Sequence, residues 1–465
     1  MPDEQTRPLK VQREPGIVTT ALTRDGAGTD AESWRRHPCW GSVPELTLVN
    51  GEIPCSRLVV VAAHPDDESL GAGGLIATAA ASGLAVYVVL LTAGEASHPE
   101  SPTVTRHALA TRRLAEAERA LGILAPEAPL VFLGASDGGV AAVEAEVTAS
   151  LVDLIGDGRS TLLVAPWRHD GHPDHEAAGR SAAAAAMRTG ARLAEYPVWM
   201  WHRDHPDQAP WSQMRRVDLS PQVTQRKWLA IHAHATQVRP LSPLPQDHEL
   251  LSGRVLAHFN APVEHFVTES APVDGALDDL HRREADPWGV DVRWYEERKR
   301  QLTLAALPRP RFRRGLEIGC SRGALAEQLA ARCDELVAVD RSPAAVAEAR
   351  VRLSGSPGVQ VEECDVPGDW PSGTFDLVVV SETGYFLSPG SLDRLIARIS
   401  ASLEPGGTVL LCHWRHPVKG WVLDGPDVHE RFRASSLPPE MARYQDRDVE
   451  ISVLCPTAQW PEPRE

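Results

Sequence analysis

Short, unbroken apolar runs alternate with segments of helical period along two separate stretches of the chain. In the first stretch, Arg57–Ala63 is apolar after its first residue and predicts a strand buried on both faces. The small residues of Gly71–Ser82 predict a helix, and "AVYVVLLT" (Ala85–Thr92) a second buried strand. His107–Gly122 sets Leu109, Leu114, Ala117 and Leu121 near helical spacing, predicting a helix that stops at Gly122. A strand at "PLVFLG", a helix around Val143–Ile155 and a strand at "TLLVAP" continue the alternation. Such a rhythm predicts a parallel sheet with helices on both faces.

The second stretch repeats the pattern with different residues. "GLEIGC", a helix at Ala324–Arg332, "ELVAVD" and a helix at Pro343–Leu353 are followed by strands at "VQVEE", "FDLVVV" and "GGTVLLCHW". The expected fold class is therefore α/β with two domains, each a mostly parallel, Rossmann-like sheet flanked by helices. At 465 residues the chain is too long for one ordinary core. Residues 1–40 are polar and expected to be loosely ordered, 41–272 form the first domain, and 313–465 the second. The charged stretch 273–312, ending in "LPRPRFRR", is expected to link the two and to cover the second. Pro-rich Val238–His248 suits a surface connector.

Charge narrows the partners. Lys plus Arg number 47 against 63 Asp plus Glu, a formal net charge of −16, and no basic run offsets it. That field repels nucleic acid and anionic membranes, leaving a small-molecule substrate as the expected partner. The 7 cysteines are scattered singly with no CxxC pair, as in a reducing compartment. No run approaches the ~18 apolar residues of a membrane span, and "MPDEQTRPLKVQREPG" lacks the apolar core of a signal peptide. The expected location is cytoplasmic.

Two clusters of imidazole and carboxylate, "HPDDE" (His64–Glu68) and "HDGHPDH" (His169–His175), each follow a predicted strand. Ligand sites of parallel sheets form at the carboxyl ends of strands, so both clusters fall on one rim. His64 and Asp67 can clasp one ion from a single turn, and His175 supplies a third ligand. Two imidazoles and one carboxylate suit zinc with open positions, and equally iron, cobalt or manganese. An ion of this kind lowers the pKa of its water towards ~7. Asp66 is then placed to act as general base, and His172 to polarise a carbonyl or protonate a leaving amine. Asp174 and Glu68 suit orienting roles. Trp199, Trp201 and Trp211 suit either a stacking wall or buried core, and His234 suits a structural role.

These paired motifs resemble the PIG-L/LmbE family of zinc-dependent N-deacetylases, over roughly residues 40–270. "KWLAIHAHATQ" (Lys227–Gln237) and "PVEHF" (Pro262–Phe266) also resemble its closing portion. The resemblance implies zinc on His64, Asp67 and His175, Asp66 as base and His172 as electrophilic helper. It further implies removal of acetyl from an N-acetylglucosamine-type glycoside. Some members carry Tyr two residues before the later His; Asp170 stands there instead.

In the second domain, "LEIGCSRGALAEQLA" follows a strand and opens a helix, with Glu317 at the strand end and Gly319 and Gly323 permitting close backbone approach. Asp340 ends the next strand, placed for ribose hydroxyls; Asp365 follows a third and could meet an adenine amino group. This order resembles class I S-adenosylmethionine-dependent methyltransferases over about residues 285–455, departing at Ser321, where many members have Gly. "DPWG", "WYEERKRQLTLAALP" and "HWRHPV" are similar to the nodulation-factor N-methyltransferase type, which acts on a glucosamine amine. That likeness implies that Tyr295 and Arg298 cover the cofactor and that Gly319 and Asp340 hold it. An amine acceptor must lose a proton, and Glu382, Tyr385 and His413 are the candidates. Arg415 and His416 suit a surface turn. Deacetylation followed by N-methylation of the exposed amine is the expected joint function. Two independent activities on different substrates, an amide hydrolase plus an O-methyltransferase, or one catalytically inactive domain serving as a binding module, are the alternatives.

Overall fold

The computed structural model describes residues 28–268, 275–284 and 286–459. The first sheet comprises β1 (Arg57–Ala62), β2 (Ala85–Thr92), β3 (Leu130–Ala135), β4 (Thr161–Pro166), β5 (Arg192–Tyr196), β6 (Met214–Asp218) and β7 (Val263–Val267). Its order is β3-β2-β1-β4-β5-β7-β6. Strands β1 to β5 pair in parallel, and β7 runs antiparallel to both β5 and β6. The second sheet comprises β8 (Phe312–Ile318), β9 (Cys333–Asp340), β10 (Val359–Glu363), β11 (Phe375–Ser381), β12 (Leu403–Trp414), β13 (Glu440–Gln445) and β14 (Val449–Leu454). Its order, β10-β9-β8-β11-β12-β14-β13, repeats the first, including the antiparallel close. In each sheet the winding reverses beside the first strand, and a crevice opens there at the carboxyl ends.

The apolar runs form the central strands because both faces are covered. Leu58 and Val60 pack with Leu75, Ile76 and Leu121 on one side of the sheet. Val59 and Val61 pack with Val147, Leu151, Ala178 and Ala182 on the other. The covering helices of the first domain include α1 (Ala31–Arg36), α2 (Asp67–Ala81), α3 (Arg106–Leu124), α4 (Glu144–Ile155) and α5 (Pro173–Thr189). Ahead of the second sheet lie α6 (Ala276–Arg283) and α7 (Trp294–Ala305). Ser342 Oγ donates to Asp278 Oδ1 at 2.5 Å, tying α6 to the second sheet's β9 end. Among the described residues no helix is long and apolar enough to cross a membrane.

Three expectations are corrected. The helix expected from Gly71 begins at Asp67, so the acidic motif occupies its first turn. Gly122 does not stop α3, which runs on to Leu124. Leu121 and Leu124 are buried and hold the last turn to the core, and the glycine sits on the exposed side with open space around it. Residues 28–40, expected to be loosely ordered, carry α1, whose Trp34 is fully buried and donates from Nε1 to the Trp201 carbonyl at 2.7 Å. Residues 1–27 lie outside the described residues.

Candidate active sites

The first site forms where β1 and β4 end. His64 follows β1, and its Nε2 lies 3.2 Å from both Asp174 Oδ2 and Asp137 Oδ1. Those carboxylates hold the Nε2 proton and leave Nδ1 facing Asp67 Oδ2, 3.5 Å away. From the far side, His175 Nδ1 lies 2.7 Å from Asp170 Oδ2, while its Nε2 lies 3.2 Å from Asp67 Oδ1. The free nitrogens of two histidines thus converge on one carboxylate. The His175 Nε2 is buried and has no hydrogen-bond partner. Ring nitrogens of His64, His172 and His175 lie within 4.8 Å of one another. A buried nitrogen lone pair without a donor, beside a second imidazole and a carboxylate, fits a divalent cation of the zinc type.

Asp170 has its own part. It accepts backbone N–H bonds from Val198, Trp199 and Met200 at 2.9–3.0 Å as well as the His175 ring. It therefore locks the β5-following loop and the His175 tautomer together.

Asp66 turns the chain into α2 at φ +123°, a conformation that costs a non-glycine residue ~1–3 kcal/mol. Arg113 holds that turn. Its Nη2 donates to the Pro65 carbonyl at 2.6 Å and to Asp66 Oδ2 at 3.2 Å, and its Nη1 to the Gly94 carbonyl at 2.8 Å. Burial outweighs the Arg113 charge and pushes the Asp66 carboxyl up to about 6. His172 caps α5, its Nδ1 accepting from the Asp174 N–H at 3.3 Å, which puts the proton of the neutral ring on Nε2. Burial, then the neighbouring His175 and His64, push it down to about 3. Glu68 accepts from Ser69 Oγ at 2.7 Å and pairs with His234 Nε2 at 3.0 Å, so His234 braces the motif from behind.

A cavity of about 100 Å³ opens on these groups, lined by His64, Asp66, Asp67, His172, His175 and Trp199 among others. Of the three tryptophans, only Trp199 reaches it. Trp201 is buried and packs edge-on against Trp34 and Trp40, with ring centroids 4.8 and 5.6 Å apart, and Trp211 joins the same cluster. Of the two roles open to these tryptophans, these two take that of core: the short helix 200–203 turns Trp201 inward under α1. Asp137 and Arg113 escaped the sequence reading. Asp137 lies just after β3 on the same rim and was open to the strand-end argument. Arg113 lies mid-helix in an ordinary amphipathic pattern and gives no local signal.

The second site is a cavity of about 570 Å³ at the carboxyl ends of β8, β9 and β11, rimmed by α6 and α7. Glu317, Gly319, Asp340, Asp365, Tyr295, Glu382 and Tyr385 line it. Gly319 stands at φ +74°, and a Cβ there would lie 1.9 Å from Thr383 Oγ1, so backbone alone can pass. Ser321 takes φ +48°, the conformation that a glycine would adopt more readily. Its N–H donates to Asp340 Oδ2 at 2.9 Å. Glu317 is buried, its Oε2 has no partner, and burial followed by the Asp340 charge pushes its carboxyl up to about 8. A cavity of this size with a mainly apolar lining, a glycine cradle and an unpartnered carboxyl oxygen fits a cationic nucleoside such as S-adenosylmethionine.

Glu382, at φ +55°, bonds to the Tyr385 hydroxyl, and Lys299 Nζ lies 3.4 Å from its Oε1. Three residues singled out in the sequence stand away from the cavity. Arg298 turns outward, donating to Asp446 Oδ2 at 2.8 Å and the Tyr444 hydroxyl at 2.6 Å. Gly323 caps the helix Ala324–Leu329 and packs beside Leu353 and Ala349. His413 is fully buried behind the site: its Nε2 accepts the Gly384 N–H at 3.3 Å and its Nδ1 lies 3.2 Å from His429 Nε2. Strand alternation sends His413 to the face under Gly425 and His429, away from the substrate side.

Comparison with known proteins separates the two halves. Residues 59–186 match the family described as GlcNAc-PI de-N-acetylase (PIG-L), and 316–407 match that described as a methyltransferase domain. A 1D-myo-inositol 2-acetamido-2-deoxy-alpha-D-glucopyranoside deacetylase of Mycobacterium sp. (strain JLS) is 30% identical over 288 residues, 51% of this chain and 88% of that protein. Nodulation protein S of Sinorhizobium fredii is 33% identical over 132 residues, 28% of this chain and 61% of that protein. Across three such nodulation proteins the chain spans 52–61% of their length. The crystal structure of N-methyltransferase NodS from Bradyrhizobium japonicum WM9 with S-adenosyl-l-homocysteine is 25% identical, with TM-score 0.37, covering 40% of this chain and all of that one.

Proposed function

Because this chain belongs to the PIG-L family of de-N-acetylases and continues into a methyltransferase domain, we propose that it deacetylates an N-acetyl amino sugar and then methylates the exposed amine. The deacetylase unit takes in 41–272, and the methyltransferase unit 313–465 with 273–312 as its cover. One observation carries the reading: the His64/Asp67/His175 convergence, suited to amide hydrolysis, shares a chain with a cofactor cavity ending at Glu382 and Tyr385. The amine that the first site releases is what the second requires.

In the first site His64, Asp67 and His175 would hold a divalent ion, zinc suiting the donor set. When bound, it supplies Lewis acidity towards the acetamide carbonyl and acidifies a water. Asp66 takes the proton of the attacking water, and the turn held by Arg113 aims its carboxylate. The His172 Nε2–H donates to the carbonyl oxygen as it gains charge. A C–O bond forms, the C–N bond breaks, and the proton held by Asp66 passes to the leaving nitrogen, giving acetate and an amine.

In the second site Gly319, Asp340 and Asp365 would hold S-adenosylmethionine, with Glu317 to meet its positive charge and Tyr295 to cover it. When bound, the cofactor supplies an electrophilic methyl group. Glu382, steadied by Tyr385 and Lys299, takes the proton from the acceptor ammonium so that the nitrogen lone pair is free to attack. Arg298 and His413 have no contact with reactants in this mechanism.

The test is product mass spectrometry on a panel of N-acetylglucosaminides, with and without the methyl donor. Loss of acetyl without the donor, and an added methyl only with it, is the expected result. Methylation of a hydroxyl, or hydrolysis unaffected by loss of His64, Asp67 or His175, refutes the proposal.

A further inference from the structure

Helix α5 connects the two sites. Its N-terminal turn carries His172, Asp174 and His175, and its 17 residues run about 25 Å to Arg188. The Arg188 side chain is buried, and part of what it meets belongs to the second domain. Its Nη1 donates to the Gly420 carbonyl at 3.0 Å, and its guanidinium carbon lies 4.4 Å from the centre of the Trp421 ring. Gly420 also lies close to Ala149 on α4, and Val422 packs against the first domain's apolar cluster.

The same loop forms part of the methyltransferase cavity. Pro417, Val418 and Lys419, directly before the clasped residues, line it, as do Phe386 and Leu387. Trp421 meets Phe386 edge-to-face at 5.1 Å, so the aromatic held by Arg188 also holds a wall of the cavity. This wall follows β11 and β12. The cofactor-type residues Gly319 and Asp365 follow β8 and β10, and Asp340 ends β9, on the other side of the switch point. The loop therefore belongs to the side where Glu382 and Tyr385 stand.

We propose that Arg188 of the deacetylase domain is a positioning residue of the methyltransferase site: clamping Gly420 and Trp421, it sets the loop 417–421 that receives the methyl acceptor. Acceptor binding then depends on the neighbouring domain, whereas cofactor binding does not. This rests on the reading of the second site as an amine methyltransferase, but part of its test is independent of that reading.

Amide hydrogen exchange on the full chain compares wild type with Arg188→Ala. Exchange across 417–422 is expected to rise at least about tenfold, the scale of one desolvated cation–π contact plus a hydrogen bond, while 317–325 is unchanged. Unchanged exchange in the loop overturns the clamp, whatever the acceptor. With chitobiose, the free-amine glucosamine dimer, as probe, Arg188→Ala is expected to raise acceptor KM about tenfold at unchanged kcat. S-adenosylhomocysteine affinity and deacetylation stay at wild-type level, and Arg188→Lys, which keeps the cation, restores part of the KM. An unchanged acceptor KM, or an equal loss of cofactor affinity, overturns the positioning role. Failure of wild type to methylate chitobiose counts against the amine reading alone, and loop exchange then decides the clamp.

Discussion

Asp170 Oδ2 lies 2.7 Å from His175 Nδ1, and that one contact decides which nitrogen of His175 faces Asp67. With Nδ1 donating, Nε2 keeps its lone pair towards the site. Asn can present its oxygen to the ring, but without charge, and it competes for the three backbone donors Asp170 now satisfies. Asp170→Asn is expected to weaken metal binding about 10–100-fold, measured by competition with a chromophoric chelator. Methyl transfer to a supplied amine should be unaffected, which separates this effect from unfolding.

Gly319→Ala offers the reverse separation. The added Cβ would lie 1.9 Å from Thr383 Oγ1, a contact that no small shift relieves, at a φ of +74° that alanine disfavours. S-adenosylhomocysteine binding by calorimetry is expected to fall at least about 100-fold, while deacetylation persists. Retention of both activities would show that the cofactor does not pass this turn.

The fold was largely legible because both sheets are central-strand architectures. Strands such as β1 and β11 are buried on both faces, so hydrophobicity alone marks them. The edge strands β6 and β13 mix Arg, Asp and Glu with apolar residues and carry no such mark. The metal-type site was legible because its residues follow strong strands in compact motifs, "HPDDE" and "HPDH". The acceptor side was less so. His413 lies within the last residues of β12 rather than beyond it as His64 lies beyond β1, and strand alternation turns it to the buried face, which spacing alone does not reveal. Trp34 looked like part of a polar tail because its partners, Trp201 and Trp211, lie some 170 residues away.

Glu317 is expected to give the cofactor site a pH dependence. Burial, and then the Asp340 charge, raise its carboxyl to about 8, so in the free protein it keeps its proton below that pH. The cofactor's positive charge favours the carboxylate, so binding must expel the proton at low pH and need not above about 8. S-adenosylhomocysteine affinity, through its ammonium group, is therefore expected to rise by up to about tenfold per pH unit towards 8, then level off. Glu317→Gln should flatten the profile. Without ligand the sign reverses: a raised carboxyl makes the fold less stable as pH climbs from the ordinary carboxylate range to about 8.

One nitrogen is expected to pass through both sites, and isotopic labelling follows that passage. The full chain is given an acetamido sugar labelled with nitrogen-15, together with a donor carrying a carbon-13 methyl group. A one-bond coupling between the two labels is expected in the product's NMR spectrum, appearing only after acetate is released. A carbon-13 methyl on oxygen, or on a nitrogen still bearing its acetyl group, would contradict it.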